Sequence, residues 1–221
     1  MTSLTSSYLH RLADWLVDVT ARRPTGLIGR RLYRQPAGHE RSFGQVLQWL
    51  GPVEGDHCLE IGCGGGVMLE RVLAAGAASA AGLDHSPQML ALSVARNRAA
   101  LADGRLTLKL GDASAIPWGD ASFDAVFTAN MFFYVDNPSS VLAEVFRVLR
   151  PGGRLVIHTM PGPLPPLSLK TSWLLIPMIS AMHVWSDAEM ADLYEDAGYR
   201  RVAVSSKGYF VQLSRGFRPG G

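Results

Sequence analysis

Cysteine is scarce in this chain: only Cys58 and Cys63 occur among 221 residues. Their spacing fits neither a metal-ligand motif nor a disulfide framework. No metal is therefore expected, and the default location is a reducing, cytoplasmic one. Charge is sparse as well, with 18% charged residues and a formal net charge of +2, so no global field calls for a nucleic-acid partner. The start of the chain lacks a basic stretch followed by an apolar one, so no secretory signal is expected there. No apolar run is long enough to span a bilayer, so no transmembrane segment is expected. Internal repeats and low-complexity tracts are missing too. With 48% hydrophobic residues, the composition suits one domain with a sizeable core.

The basic residues are uneven. Arg22, Arg23, Arg30, Arg31, Arg34 and Arg41 fall in one stretch opposed only by Glu40. Such a stretch is either a solvated face or a cap over an anionic group or a membrane surface. Leu9, Leu12, Leu16 and Val19 mark a first helix, and Phe43, Val46, Leu47 and Leu50 a second. Residues 1–52 thus read as an N-terminal helical cap segment.

Strand and helix then alternate. Strands are expected at about 57–61, 79–83, 105–110, 123–129 and 154–159, and helices at about 65–75, 86–102 and 137–149. Ser186 and Glu189 form a capping box for one more helix, which Gly198 ends. Two last strands, about 200–206 and 208–214, turn at Lys207-Gly208. This order implies an α/β fold. It is a Rossmann-like, doubly wound, mostly parallel seven-stranded sheet with a C-terminal antiparallel hairpin, spanning residues 53–214 and followed by a tail, 215–221.

Residues 160–185 break the rhythm with five prolines and a single formal charge, Lys170. A long apolar insertion after the fifth strand reads as a lid-like segment, with an interface, membrane contact or extra core element as alternatives.

The chemistry is concentrated in Leu59-Glu60-Ile61-Gly62-Cys63-Gly64-Gly65-Gly66. A short apolar strand runs into glycines and then into a helix, which lets a nucleotide-like ligand approach the backbone. Gly62 and Gly64 match the first two positions of the dinucleotide fingerprint, but its third falls on Val67. Asp84 closes the second strand, where a carboxylate can accept ribose hydroxyls; a helix-capping role is the alternative. Gly111-Asp112-Ala113 follows the third strand, Ser122-Phe123-Asp124 enters the fourth, and Leu149-Arg150-Pro151-Gly152-Gly153 precedes the fifth.

Taken in order, these motifs over roughly 55–160 resemble those of the class I S-adenosylmethionine-dependent methyltransferases of small-molecule type. The resemblance implies S-adenosylmethionine as cofactor and S-adenosylhomocysteine as product. It places Glu60, Gly62, Cys63, Gly64 and Gly66 around the ligand, Asp84 on the ribose, His85 and Met89 beside the adenine, Asp112 and Ala113 on the adenine edge, and Asn130 near the cofactor. It also implies in-line methyl transfer to a small, partly hydrophobic acceptor, such as an intermediate of natural-product biosynthesis. His158 and His183 are the candidate bases if the acceptor must lose a proton. Asn130-Met131-Phe132-Phe133-Tyr134 lacks the prolines of base-methylating enzymes, which argues against a nucleic-acid acceptor. The aromatic cluster either lines an acceptor pocket or packs under the sheet. An NAD-dependent oxidoreductase and a non-catalytic S-adenosylmethionine-binding protein are the alternatives. Peripheral membrane contact and oligomeric state stay open.

Overall fold

Strands buried on both faces must be apolar along their whole length, because helices cover either side of the sheet. β1 (His57–Ile61), β2 (Ser79–Asp84) and β4 (Phe123–Ala129) follow this over most of their length, with most residues buried and Glu60 and Asp84 as buried charged exceptions. A computed structural model describes residues 40–162 and 182–220. Outside them lie the expected first helix, Arg22 to Arg34, and most of the 160–185 insertion. The remaining strands are β3 (Leu106–Leu110), β5 (Leu149–Thr159), β6 (Arg200–Lys207) and β7 (Val211–Phe217). The order across the sheet is β3-β2-β1-β4-β5-β7-β6. β1 to β5 pair in parallel, and β7 runs antiparallel to both β5 and β6. The sheet is the doubly wound, mostly parallel one with an antiparallel C-terminal hairpin that the sequence implies.

The helices are α1 (Glu40–Leu50), α2 (Val67–Ala74), α3 (Pro87–Arg96), α4 (Arg98–Ala102), α5 (Pro138–Val148) and α6 (Asp187–Asp196). α1 and α2 pack on one face, where Phe43, Val46, Leu50 and Met68 meet Cys58, Phe127 and Val156. Arg154 fastens α1 to β5 by donating to the Leu50 carbonyl (2.6 Å) and pairing with Asp56 (2.6 Å). α5 and α6 cover the other face, with Leu142, Val145, Met190 and Tyr194 against Leu59, Val126 and Leu155. Asp124 is structural: it accepts from the His57 amide (2.8 Å) and pairs with Arg150 (2.7 Å).

Caps fix where the helices begin. Ser86 accepts from the Met89 amide (3.4 Å), Asn137 from the Ser140 amide (3.1 Å), and the Ser186–Glu189 capping box is complete in both directions. Pro87 and Pro138 occupy first helical positions, where no amide is needed.

Three boundaries differ from the sequence expectation. The helix expected over 86–102 is interrupted at Asn97, whose side chain bonds elsewhere. β5 starts at Leu149 and includes the Pro-Gly-Gly turn, with a register shift between Phe123 and Ala125 on its β4 partner. The last strand is 211–217 rather than 208–214. Its turn takes in Gly208, Tyr209 and Phe210, with Gly208 at φ +61°. Residues 215–217, expected as tail, therefore lie in β7, and the Arg218 amide still bonds Gly153 (2.8 Å).

Candidate functional site

The strand order reverses between β1 and β4, since β2 and β3 extend the sheet one way and β4 and β5 the other. Ligands of open α/β sheets bind at the carboxyl ends of the strands beside such a switch point. The glycine loop leaves β1 there. Gly62, Gly64 and Gly66 have φ of +71°, +50° and +74°, the left-handed region that side chains rarely adopt. At Gly62 a Cβ would also lie 2.7 Å from Met131 Cγ. At Gly64 it would meet nothing within 4 Å, so the backbone there borders open space that a ligand can fill.

The loop is pinned to β2. The Gly62 and Cys63 amides donate to the Leu83 carbonyl (2.8 and 3.1 Å). The Gly64 amide donates to Asp84 Oδ2 and the Ser86 amide to Asp84 Oδ1, both at 2.8 Å. Each carboxylate oxygen can accept a second bond, so Asp84 keeps acceptor capacity toward the site. Burial raises its pKa, and the Ser86 and Gly64 amides oppose that. Asp84 does not cap α3; Ser86 does.

Glu60 ends only 3% exposed, and its Oε2 has no hydrogen-bond partner. Burial, and then the charge of Asp84, push its pKa well above the ordinary carboxyl value. A buried carboxyl with an orphan oxygen costs stability unless a cation or donor arrives. Asp112 is the reverse case. The Ser114 hydroxyl (2.6 Å) and amide (2.8 Å) both donate to its Oδ1 and hold its pKa low, leaving Oδ2 outside those bonds. Both buried thiols are held protonated by desolvation, with Cys58 pushed up to about 12 and Cys63 raised well above its usual value.

These groups surround a cavity of about 480 Å³, within the range of small-molecule sites. Glu60, Gly62, Cys63, Gly64, Asp84, His85, Met89, Asp112, Ala113 and Asn130 all line it. Gly66 sits behind the loop. Four acidic side chains, those of Glu60, Asp84, Asp112 and Asp136, line the cavity, Glu60 biased toward its protonated form, and no Lys or Arg lines it among the described residues. That charge set favours a cationic ligand and opposes a diphosphate. A sulfonium with an ammonium group fits it; the pyrophosphate of a dinucleotide does not.

The cluster after β4 divides. A short 3₁₀ turn, Phe132–Tyr134, buries Phe132 and Phe133 and leaves Met131 and Tyr134 on the cavity wall. Asn130 takes φ +59°, which Asn tolerates better than most residues, and its amide bonds the His158 carbonyl (3.1 Å). Sequence reasoning missed Phe43, Asp136, Asn137 and Val141 as wall residues. Asp136-Asn137 carries a helix-start signal, and that signal hid its position at the mouth.

Neither candidate base lines the cavity. His158 is 1% exposed in β5. His183 is exposed; its amide bonds the Phe133 carbonyl and its Nδ1 approaches the Val135 carbonyl, both at 2.8 Å. A carbonyl can only accept, so Nδ1 carries the proton and Nε2 the lone pair. Val135 itself is a wall residue, so His183 stands directly behind the wall. Among the described residues no group of three or more His, Cys, Asp or Glu side chains could hold a metal ion, and no helix is long and apolar enough to cross a membrane.

A family model described as a methyltransferase domain matches residues 59–157. An O-methyltransferase, cnsE, of Penicillium expansum is 25% identical over 210 residues, covering 93% of this chain and 70% of that protein. A demethylmenaquinone methyltransferase of Renibacterium salmoninarum is 30% identical over 207 residues, covering 81% and 84%. Two other curated relatives are matched over less than half of their own length, at 44% and 45%. Among solved structures, a geranyl diphosphate methyltransferase in complex with S-adenosylmethionine superposes with a TM-score of 0.66 at 20% identity, covering 80% of this chain and 84% of that one.

Proposed function

The chain belongs to the class I S-adenosylmethionine-dependent methyltransferases, and from that premise we propose that it methylates a small acceptor with a substantial apolar part. Family membership sets aside the NAD-dependent oxidoreductase. S-adenosylmethionine is the cofactor, and when bound it supplies a methyl group on a sulfonium, already a good electrophile.

The chain's own residues then have three tasks. Asp84 and Asp112 hold the ribose and the adenine edge, and Met89 gives the ring an apolar floor. Glu60 and the Gly65 and Val67 amides of the glycine loop take the methionine end. The second task is to hold the acceptor's nucleophile in line, which supplies roughly 7–11 kcal/mol of a displacement barrier. The third is to take a proton from the acceptor where it must lose one; His183, behind the wall at Val135, is the candidate in this reading.

The observation that carries the acceptor class is a set of wall residues outside the glycine loop: Phe43, Met131, Tyr134, Val135 and Val141. It offers apolar and aromatic surface, and the only hydroxyl among these five belongs to Tyr134. The demethylmenaquinone methyltransferase among the similar proteins fits the same class, as does a place in natural-product biosynthesis. Nucleic acid is not the acceptor in this reading, because the cavity's carboxylates would repel phosphates. The test is mass-spectrometric methyl transfer to a panel of phenols, quinols, isoprenoids, polar amines, DNA and RNA. Turnover confined to acceptors with apolar bodies is expected. Turnover confined to polar amines or nucleic acid overturns the assignment.

A further inference from the structure

The glycine loop is held from behind by the far end of α3. Arg96 Nε donates to the Gly65 carbonyl (3.0 Å), and Asn97 Nδ2 donates to the Gly66 carbonyl (3.1 Å). The same Nδ2 donates to the Ser93 carbonyl (3.1 Å), so the amide is fixed within its own helix end while it reaches the loop. Arg96 also approaches Glu70 on α2 at 3.4 Å. The fit is close: a Cβ on Gly66 would lie 2.3 Å from Ser93 Oγ and 2.5 Å from Asn97 Nδ2.

Asn97 is only 5% exposed, and it is where the helix expected to reach residue 102 breaks, at φ −105° and ψ 29°. Asn is a poor helix former because its side chain competes for backbone partners. Here that competition joins α3 to the cofactor loop. α2 has no side-chain N-cap of its own, so its first amides depend on the loop for their direction. In a planar trans peptide the carbonyl and the following amide point opposite ways. Drawing the Gly66 carbonyl toward Asn97 therefore turns the Val67 amide away from Asn97. Gly65 and Val67 both line the cavity, while Gly66 between them does not.

We propose that Asn97, assisted by Arg96, is a positioning residue for cofactor binding: it sets the peptide planes on either side of Gly66 so that the Gly65 and Val67 amides face the methionine end of S-adenosylmethionine. The proposal rests on the cofactor reading above and adds a determinant some thirty residues downstream of the motif. Neither side chain touches the cofactor.

Asn97→Asp keeps the shape and removes the donor. Arg96→Ala removes the second donor from a partly exposed side chain, and Arg96→Lys restores a donor. Titration calorimetry with S-adenosylmethionine is expected to show about a tenfold rise in Kd for Asn97→Asp and a smaller rise for Arg96→Ala. Arg96→Lys should recover part of that loss. At saturating cofactor, kcat and the acceptor's KM should stay within about twofold of wild type. Amide exchange at residues 64–68 should quicken in Asn97→Asp. If Asn97→Asp does not fold, the Arg96→Ala and Arg96→Lys pair decides on the same readouts. Wild type that fails to bind S-adenosylmethionine overturns the cofactor reading. Wild type that binds, with folded variants whose Kd is unchanged or whose kcat falls in equal measure, overturns the positioning role alone.

Discussion

At the scale of single residues, Glu60 has the clearest consequence. Its carboxyl is buried with an orphan oxygen, and burial and Asp84 both raise its pKa. The folded state therefore keeps a proton that the unfolded chain releases near pH 4.3, the ordinary Glu value. Stability contributed in this way is fully present below that pH and is lost as pH rises toward the raised value. Asp84 shifts in the same direction, whereas Asp112, Asp124 and Glu144 shift down and act with the opposite sign. Glu60→Gln isolates one member of this set. The ligand-free wild type should lose stability relative to Glu60→Gln as pH rises from about 5 to 8, measured by urea denaturation. A constant difference across that range would mean that Glu60 is ionised in the fold and holds a partner.

The two histidines separate at the same scale. His183 stands behind the cavity wall with its Nδ1 on the Val135 carbonyl, while His158 is enclosed in β5. For an acceptor that must lose a proton, His183→Ala should lower kcat by about 100-fold or more, the usual share of a general base, with cofactor Kd unchanged. His158→Ala should instead lower the denaturation midpoint. Reversal of the two outcomes would move the base into β5.

At the scale of elements, what the sequence shows plainly is what periodicity and capping control. The runs at Cys58–Ile61 and Phe123–Ala129, Ser86-Pro87, Asn137-Pro138 and Ser186-Glu189 all begin or end elements where their chemistry requires. The misplaced boundaries are those set by partners distant in sequence. Asn97 breaks a helix to bond a glycine thirty-one positions back. β7 takes its register from β5, with Arg154 opposite Phe217, and no local signal at Gly208 states that pairing. The register makes its own prediction. Gly216 lies under α6, where a Cβ would come 2.5 Å from the Tyr194 ring. Gly216→Ala should cost about 1–3 kcal/mol, the range for overpacking a filled core, whereas alanine at Gly220, where no atom lies within 4 Å, should be near neutral. Equal tolerance in a denaturant titration would mean that the strand is not in this register.

At the scale of the whole molecule, charge is divided in a way the composition conceals. The chain carries 21 Lys and Arg against 19 Asp and Glu, yet the described cavity wall has four acidic side chains and no Lys or Arg. The glycine motif, Asp84 and Asp112 were legible because each sits at a strand end marked by local signals. Asp136 was not, because only the fold brings the β4–α5 connection to face the glycine loop. The local negative field should act on the one charge that separates cofactor from product, the sulfonium. The hydrogen bond that Asp112 would accept from the adenine amino group would serve both molecules alike. Neutralising Asp112 and Asp136 together, as Asp112→Asn with Asp136→Asn, should therefore raise the Kd of S-adenosylmethionine about two- to fivefold more than that of S-adenosylhomocysteine. The difference should shrink as salt rises from about 0.01 to 1 M, since exposed charges are screened over that range. Equal losses for both ligands, or a difference indifferent to salt, would show that these carboxylates act through local bonds and that the field plays no part in selecting the charged cofactor.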